Sequence, residues 1–207
     1  MNTGFFPVSH KRGKIVMRFT LIALFLASMG ASANAQVLVI GSGLAKDCYT
    51  AAETLRITAR EGLESCSKAL NHEMLSQNDR MSTLINRGIL YMRNGNYKLA
   101  MDDYQAALEI DDMKGETYLN IGAAHIYQEE YAEAKTALDK AIELGSTDLY
   151  AAYYNRAIAN ERLGDITSAY WDYRKALDLQ PEFEVAARQL ERFTVETRAP
   201  DAGGSPV

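Results

Sequence analysis

A packing pattern that returns every 34 or 35 residues sets the tightest limit on how this chain folds. Asn86-Arg87-Gly88, Asn120-Ile121-Gly122 and Asn155-Arg156-Ala157 open three successive segments. A second set follows each at matching offsets: Tyr97, Ala100, Tyr104 and Ala107-Leu108; then Tyr131, Ala134, Leu138 and Ala141-Ile142; then Ile166, Ala169, Tyr173 and Ala176-Leu177. Gly88 to Gly122 is 34 residues and Gly122 to Ala157 is 35, the extra one falling near Leu149. Self-similarity at such a period marks stacked supersecondary units. Within a unit the apolar positions recur at helical spacing, which predicts two helices. Asn94-Gly95-Asn96, Gly164-Asp165 and Gly145-Ser146-Thr147-Asp148 supply the turns, with Asn96 and Asp165 placed as N-caps. Gly88, Gly122 and Ala157, opposite Ala100, Ala134 and Ala169, are small enough for helix axes to close to the usual 8–10 Å or so.

The pattern resembles the tetratricopeptide repeat family over residues 81–183, as repeats 81–114, 115–148 and 150–183. Asp112 and Ser146 stand at the usual proline position, which only Pro181 keeps, and His125 and Asn160 replace an expected aromatic. The resemblance implies an all-α, right-handed α-solenoid whose units protect one another's apolar faces. It also implies a concave groove lined by the first helix of each unit. Carried onto this chain, the groove positions are Ile85, Asn86, Ile89 and Arg93, then Leu119, Asn120, Ala123 and Tyr127, then Tyr154, Asn155, Ile158 and Arg162. A ladder of Asn86, Asn120 and Asn155 could pair with the backbone of an extended peptide, since a side-chain amide both donates and accepts. The same asparagines could instead only bridge neighbouring repeats. Family members that clamp a chaperone's C-terminal carboxylate carry lysine and arginine beside asparagine. Here Glu116 and Ala151 occupy the lysine positions, and Arg93 and Arg162 do not restore that geometry.

Both ends of the array need closure. Phe183, Ala187, Leu190 and Phe193 predict a capping helix over 184–193, followed by a disordered tail, 194–207, rich in Gly, Pro and Ala. At the other end, residues 43–76 read as a degenerate first hairpin, with helices at Ala45–Glu53 and Ala59–Leu70. Thr58-Ala59-Arg60-Glu61 is a capping box. Cys48 and Cys66 lie nine residues either side of Ile57, where the hairpin turns, which sets them side by side. Ala51, Ala52, Gly62 and Ala69 allow the close approach a disulfide needs. The alternative is two buried free thiols. Trp171, on a second helix, either faces the convex side or packs under the capping helix.

The first 35 residues read as a cleavable signal peptide. Lys11, Arg12, Lys14 and Arg18 precede the apolar run Phe19–Ala27, and Ala33-Asn34-Ala35 supplies a cleavage signal. Met17 is a possible second start. The run is about half the length a spanning helix needs, so no stable membrane insertion is expected after cleavage. Residues 36–42 then form an N-terminal arm. Export makes a periplasmic or secreted location the expectation, and an oxidising compartment favours the Cys48–Cys66 bond. Without residues 1–35 the chain holds 18 basic against 27 acidic side chains. That balance repels phosphate backbones and argues against nucleic acid as a partner.

Little points to catalysis. Gly41-Ser42-Gly43 after a strand-like run resembles a dinucleotide loop, but Lys46 stands where a small residue is required and no βαβ unit follows. A dinucleotide-binding enzyme is therefore a remote alternative. His72 and His125 lack metal-ligand spacing. Asp102-Asp103 and Asp111-Asp112 read as solvated faces rather than acid–base pairs, because adjacent helical residues point apart. No cofactor is implied. The chain reads as a non-enzymatic scaffold or assembly helper of the bacterial cell envelope that binds a protein or peptide through the concave groove. The alternative is a structural protein that self-associates through its open ends, so the expected state is a monomer or a weak self-associate.

Overall fold

The computed structural model describes residues 14–17, 43–54 and 58–196. Within them the chain forms helices α1 (Leu44–Glu53), α2 (Ala59–His72), α3 (Gln77–Arg93), α4 (Tyr97–Leu108) and α5 (Gly115–Tyr127). Then come α6 (Tyr131–Glu143), α7 (Leu149–Arg162), α8 (Ile166–Leu179) and α9 (Glu184–Leu190). Consecutive helices pack as antiparallel hairpins, and the first helices of successive hairpins also touch, α3 with α5 and α5 with α7. This is the expected α-solenoid, with α3, α5 and α7 forming its inner row.

The small residues do what their size predicts. A Cβ on Gly122 would sit 2.5 Å from Leu138 Cγ, and one on Gly88 would run into the Tyr104 ring. Ala100, Ala134 and Ala169 are fully enclosed. Each repeat turns on the same hydrogen-bond pair. Gly95 N–H donates to Met92 and Asn96 N–H to Tyr91. The pair returns as Glu129 to Ile126 with Glu130 to His125, and as Gly164 to Glu161 with Asp165 to Asn160. The pivot residue needs a left-handed backbone. Gly95 and Gly164 adopt it at φ 75° and 85°, while repeat two places Glu129 there at φ 62°. Asp165 caps α8 through Ser168 N–H at 3.0 Å, whereas Asn96 makes no side-chain cap bond.

The first hairpin is stapled as expected. Cys48 and Cys66 are disulfide-bonded with Cα atoms 4.7 Å apart, and both are fully buried. Their helices close on Gly62, where an added Cβ would meet that of Ala51 at 2.5 Å. The Thr58–Glu61 capping box starts α2. The turn itself, residues 55–57, lies outside the described residues.

The C-terminal end departs from expectation. The capping helix stops at Leu190, and Phe193–Glu196 form a strand, β2, so 184–193 is not one helix and the tail does not begin at 194. β2 pairs antiparallel with β1 (Lys14–Met17), with Lys14 opposite Glu196 and Met17 opposite Phe193. Phe193 holds β2 down through ring contacts to Tyr170 and Tyr173 at 5.8 and 5.9 Å. The basic segment read as the start of a signal peptide thus supplies a strand. The apolar run 19–27, the cleavage signal at 33–35, the arm 36–42 and residues 197–207 lie outside the described residues. No helix among the described residues is long and apolar enough to cross a membrane.

Candidate functional site

The inner row divides the twelve expected groove residues into two groups. Ile85, Asn86, Ile89, Leu119, Asn120, Ala123, Tyr154 and Asn155 are each 0% exposed. They are interior residues of the stack, and the asparagine ladder cannot reach a peptide backbone. Burial of a polar amide is tolerated only where its hydrogen-bonding groups are met, which fits the bridging alternative. Arg93, Tyr127, Ile158 and Arg162 do reach the surface, all from the C-terminal turns of their helices.

Those four line two neighbouring cavities. One, about 300 Å³, is walled by Ile126, Tyr127, Tyr131, Ile158, Arg162 and Tyr173. The other, about 350 Å³, lies between Met92, Arg93, Asn94, Gly95, Tyr97 and Tyr127. Tyr127 is common to both, and its ring stacks on that of Tyr97 at 6.0 Å and 14°. Arg93, Tyr127 and Arg162 occupy one equivalent position in the three repeats, so the solenoid sets cation, aromatic and cation in a row. The Arg162 guanidinium lies 4.7 Å over the Tyr131 ring. Glu161 is engaged by Arg192 at 2.7 and 2.6 Å and accepts from the Tyr173 hydroxyl at 3.2 Å. Burial pushes the Tyr173 hydroxyl well above its ordinary value, so it stays a neutral donor. Glu129, the left-handed residue, stands at the rim of the first cavity.

Three polar features of the frame escaped the sequence reading. Asp103 is not a solvated carboxylate: it is 5% exposed and clamps Arg87 Nε and Nη2 at 2.8 and 2.6 Å. Asp172 repeats the clamp on Arg156 at 2.8 and 2.7 Å, with Asn160 adding a bond at 2.9 Å. Repeat two fills the equivalent space with Ile121 and Ala137. The recurring arginine-to-aspartate spacing of 16 was the available signal. Arg156 also bonds Asp139 at 2.7 Å, tying the third repeat to the second. Glu116 accepts from Thr147 N–H at 3.1 Å, fastening the start of α5 to the end of its own repeat, just before α7.

His125 is half-buried with Nδ1 2.7 Å from Glu130 Oε2. Trp171 is 54% exposed beside Tyr170, on the outer side rather than under α9. Among the described residues no group of three His, Cys, Asp or Glu side chains could hold a metal ion.

These features define a helical-repeat solenoid with an aromatic and cationic inner face. The tetratricopeptide repeat family matches residues 82–112, 115–145 and 150–183, so the chain carries three tetratricopeptide repeats. It is 30% identical over 109 residues to protein unc-45 homolog B of Xenopus laevis, covering 51% of this chain and 12% of that protein. It is 29% identical over 99 residues to human sperm-associated antigen 1, covering 48% and 11%. The chain thus spans only a small part of these relatives. Among solved structures, the first repeat domain of Spaghetti (RPAP3) bound to the HSP90 peptide SRMEEVD aligns with a TM-score of 0.51 at 25% identity. That alignment covers 54% of this chain and 87% of that one. MamA of Desulfovibrio magneticus aligns with a TM-score of 0.57 at 20% identity over 72% and 82%, a likeness of fold.

Proposed function

We propose that this protein is a non-enzymatic scaffold of the bacterial cell envelope that binds a protein or peptide segment along its inner face. The observation that carries the reading is the pair of cavities meeting at Tyr127, built from groove positions of all three repeats. Amphipathic aromatic rings beside guanidinium groups are the side chains that anchor protein interfaces. The peptide-bound RPAP3 repeat domain supports the ligand class. A signal-like N-terminal sequence and the Cys48–Cys66 bond support an exported, oxidising setting. The outward-facing residues of the groove, not the asparagine ladder, make the contact.

The test is capture of partners from envelope extract by the exported protein, comparing wild type, Tyr127→Ala with Ile158→Ser, and the outer-surface control Trp171→Ala. The reading predicts a partner retained by wild type and the control but lost by the double variant. Equal recovery by all three removes the inner face as the site. Mass spectrometry of the protein from its host checks export: a chain beginning at Gln36, which loses β1 and leaves β2 without that partner, is expected, and one beginning at Met1 refutes cleavage.

A further inference from the structure

Several guanidinium groups of the frame are spoken for. Arg87 and Arg156 are held by aspartates and Arg192 by Glu161. Arg80 donates to a backbone carbonyl at Leu70. Arg93 differs. It reaches the surface and no carboxylate among the described residues comes within 4 Å of it, while the protein around it partly desolvates it and lowers its pKa, against smaller opposing effects of Tyr104 and Tyr127. Among the described residues it is the one charged side chain lining the second cavity, whose other walls are Met92, Asn94, Gly95 and the stacked pair Tyr97 and Tyr127. The first cavity is electrically balanced: Glu129 and Glu161 face Arg162 and Arg192. Its remaining walls are aromatic or aliphatic apart from the Gln189 amide. A guanidinium at a cavity wall without a carboxylate partner gains most from a carboxylate that can take two of its N–H groups at once.

We infer that the inner face selects an extended segment carrying an aspartate or glutamate beside an apolar residue. The acidic side chain binds Arg93 between Tyr97 and Tyr127, and the apolar one enters the cavity of Ile126, Tyr131 and Ile158. This rests on the inner face being the peptide site and adds the chemistry of what it takes. The carboxylate here belongs to a side chain, so a free C-terminus is not required.

The probe is a randomised heptapeptide library with amidated C-termini, panned against wild type, Arg93→Gln and Ile158→Ser, each checked for native helix content by circular dichroism. Wild type should enrich peptides with Asp or Glu next to an apolar residue. Arg93→Gln should keep the apolar preference, lose the acidic one, and bind the best wild-type peptide about tenfold more weakly, the equivalent of one charge-assisted contact. That peptide's affinity should fall with added salt for wild type and stay level for Arg93→Gln. Ile158→Ser should lose the apolar preference alone. Enrichment without acidic residues, or an acidic preference that survives Arg93→Gln, overturns the selectivity while leaving the groove intact. Enrichment of nothing by wild type overturns the groove as a peptide site, and the selectivity with it.

Discussion

Removing the Arg87–Asp103 clamp one side at a time separates its two roles. Arg87→Ile leaves Asp103, 5% exposed, with a buried carboxylate and no partner. Breaking half of a buried pair costs about 3–5 kcal/mol. The low end, about 3 kcal/mol, applies here because Arg87 keeps 20% of its side chain in water. Asp103→Ala leaves a guanidinium that retains Ser67 at 3.3 Å and the Tyr91 ring at 5.8 Å, so it should cost about 1–2 kcal/mol. The double variant rebuilds the solution of repeat two, where Ile121 and Ala137 occupy these positions at 9% exposure each. It should return to within about 1 kcal/mol of wild type, because apolar replacements of buried pairs are often neutral. Urea unfolding of the oxidised protein, followed by helix circular dichroism, supplies the four midpoints of the cycle. A double variant as unstable as the two single losses added together would refute the reasoning. It would mean that the pair is not a unit and that the repeats are not interchangeable at this position.

Further outcomes follow from other parts of the frame. Glu129→Gly should raise stability by about 0.5–1 kcal/mol in the same assay, since it relieves a left-handed non-glycine residue; no gain would mean the turn is not strained. Replacing Cys48 and Cys66 together by alanine should cost about 3 kcal/mol, with hydrogen exchange rising in α1 and α2 before α7 and α8. Glu116 confers acid sensitivity. Burial works to raise its pKa, but hydrogen bonds from its own backbone and Thr147, with Lys114 nearby, outweigh this and lower it. A lowered folded value means its contribution is complete above the unfolded value of about 4.3 and is lost as pH falls through the folded one. Glu116→Gln should flatten stability against pH in that window, and an unchanged slope would contradict the assignment.

How much of this was legible depended on what each signal reports. The array was readable because Gly88, Gly122 and Ala157 meet a crossing helix, and steric exclusion leaves a mark at fixed spacing. The staple was readable because an antiparallel hairpin equates distance from the turn with position. The groove was readable only in part. Residues that face inward and residues that face the next repeat differ by a fraction of a helical turn. Superhelical stacking, which no single helix encodes, buries Asn86, Asn120 and Asn155 and leaves Arg93, Tyr127, Ile158 and Arg162 outside. Asp103 was misread because a pair of adjacent aspartates says nothing of which one turns inward. Its arginine lies 16 residues earlier on the facing helix. The strand at Phe193–Glu196 was missed because its partner, Lys14–Met17, lies at the far end of the chain, and pairing over that distance leaves no local pattern.

Where a bound segment lies decides most directly whether the inner face is the binding site. Hydrogen–deuterium exchange of the wild-type protein, with and without the tightest amidated heptapeptide from the library, locates it. Slowed exchange at the C-terminal turns of α3, α5 and α7 and the loops after them, with α8 around Trp171 unchanged, is the predicted result. Protection confined to α8, or to β2 and the end of α9, would contradict it.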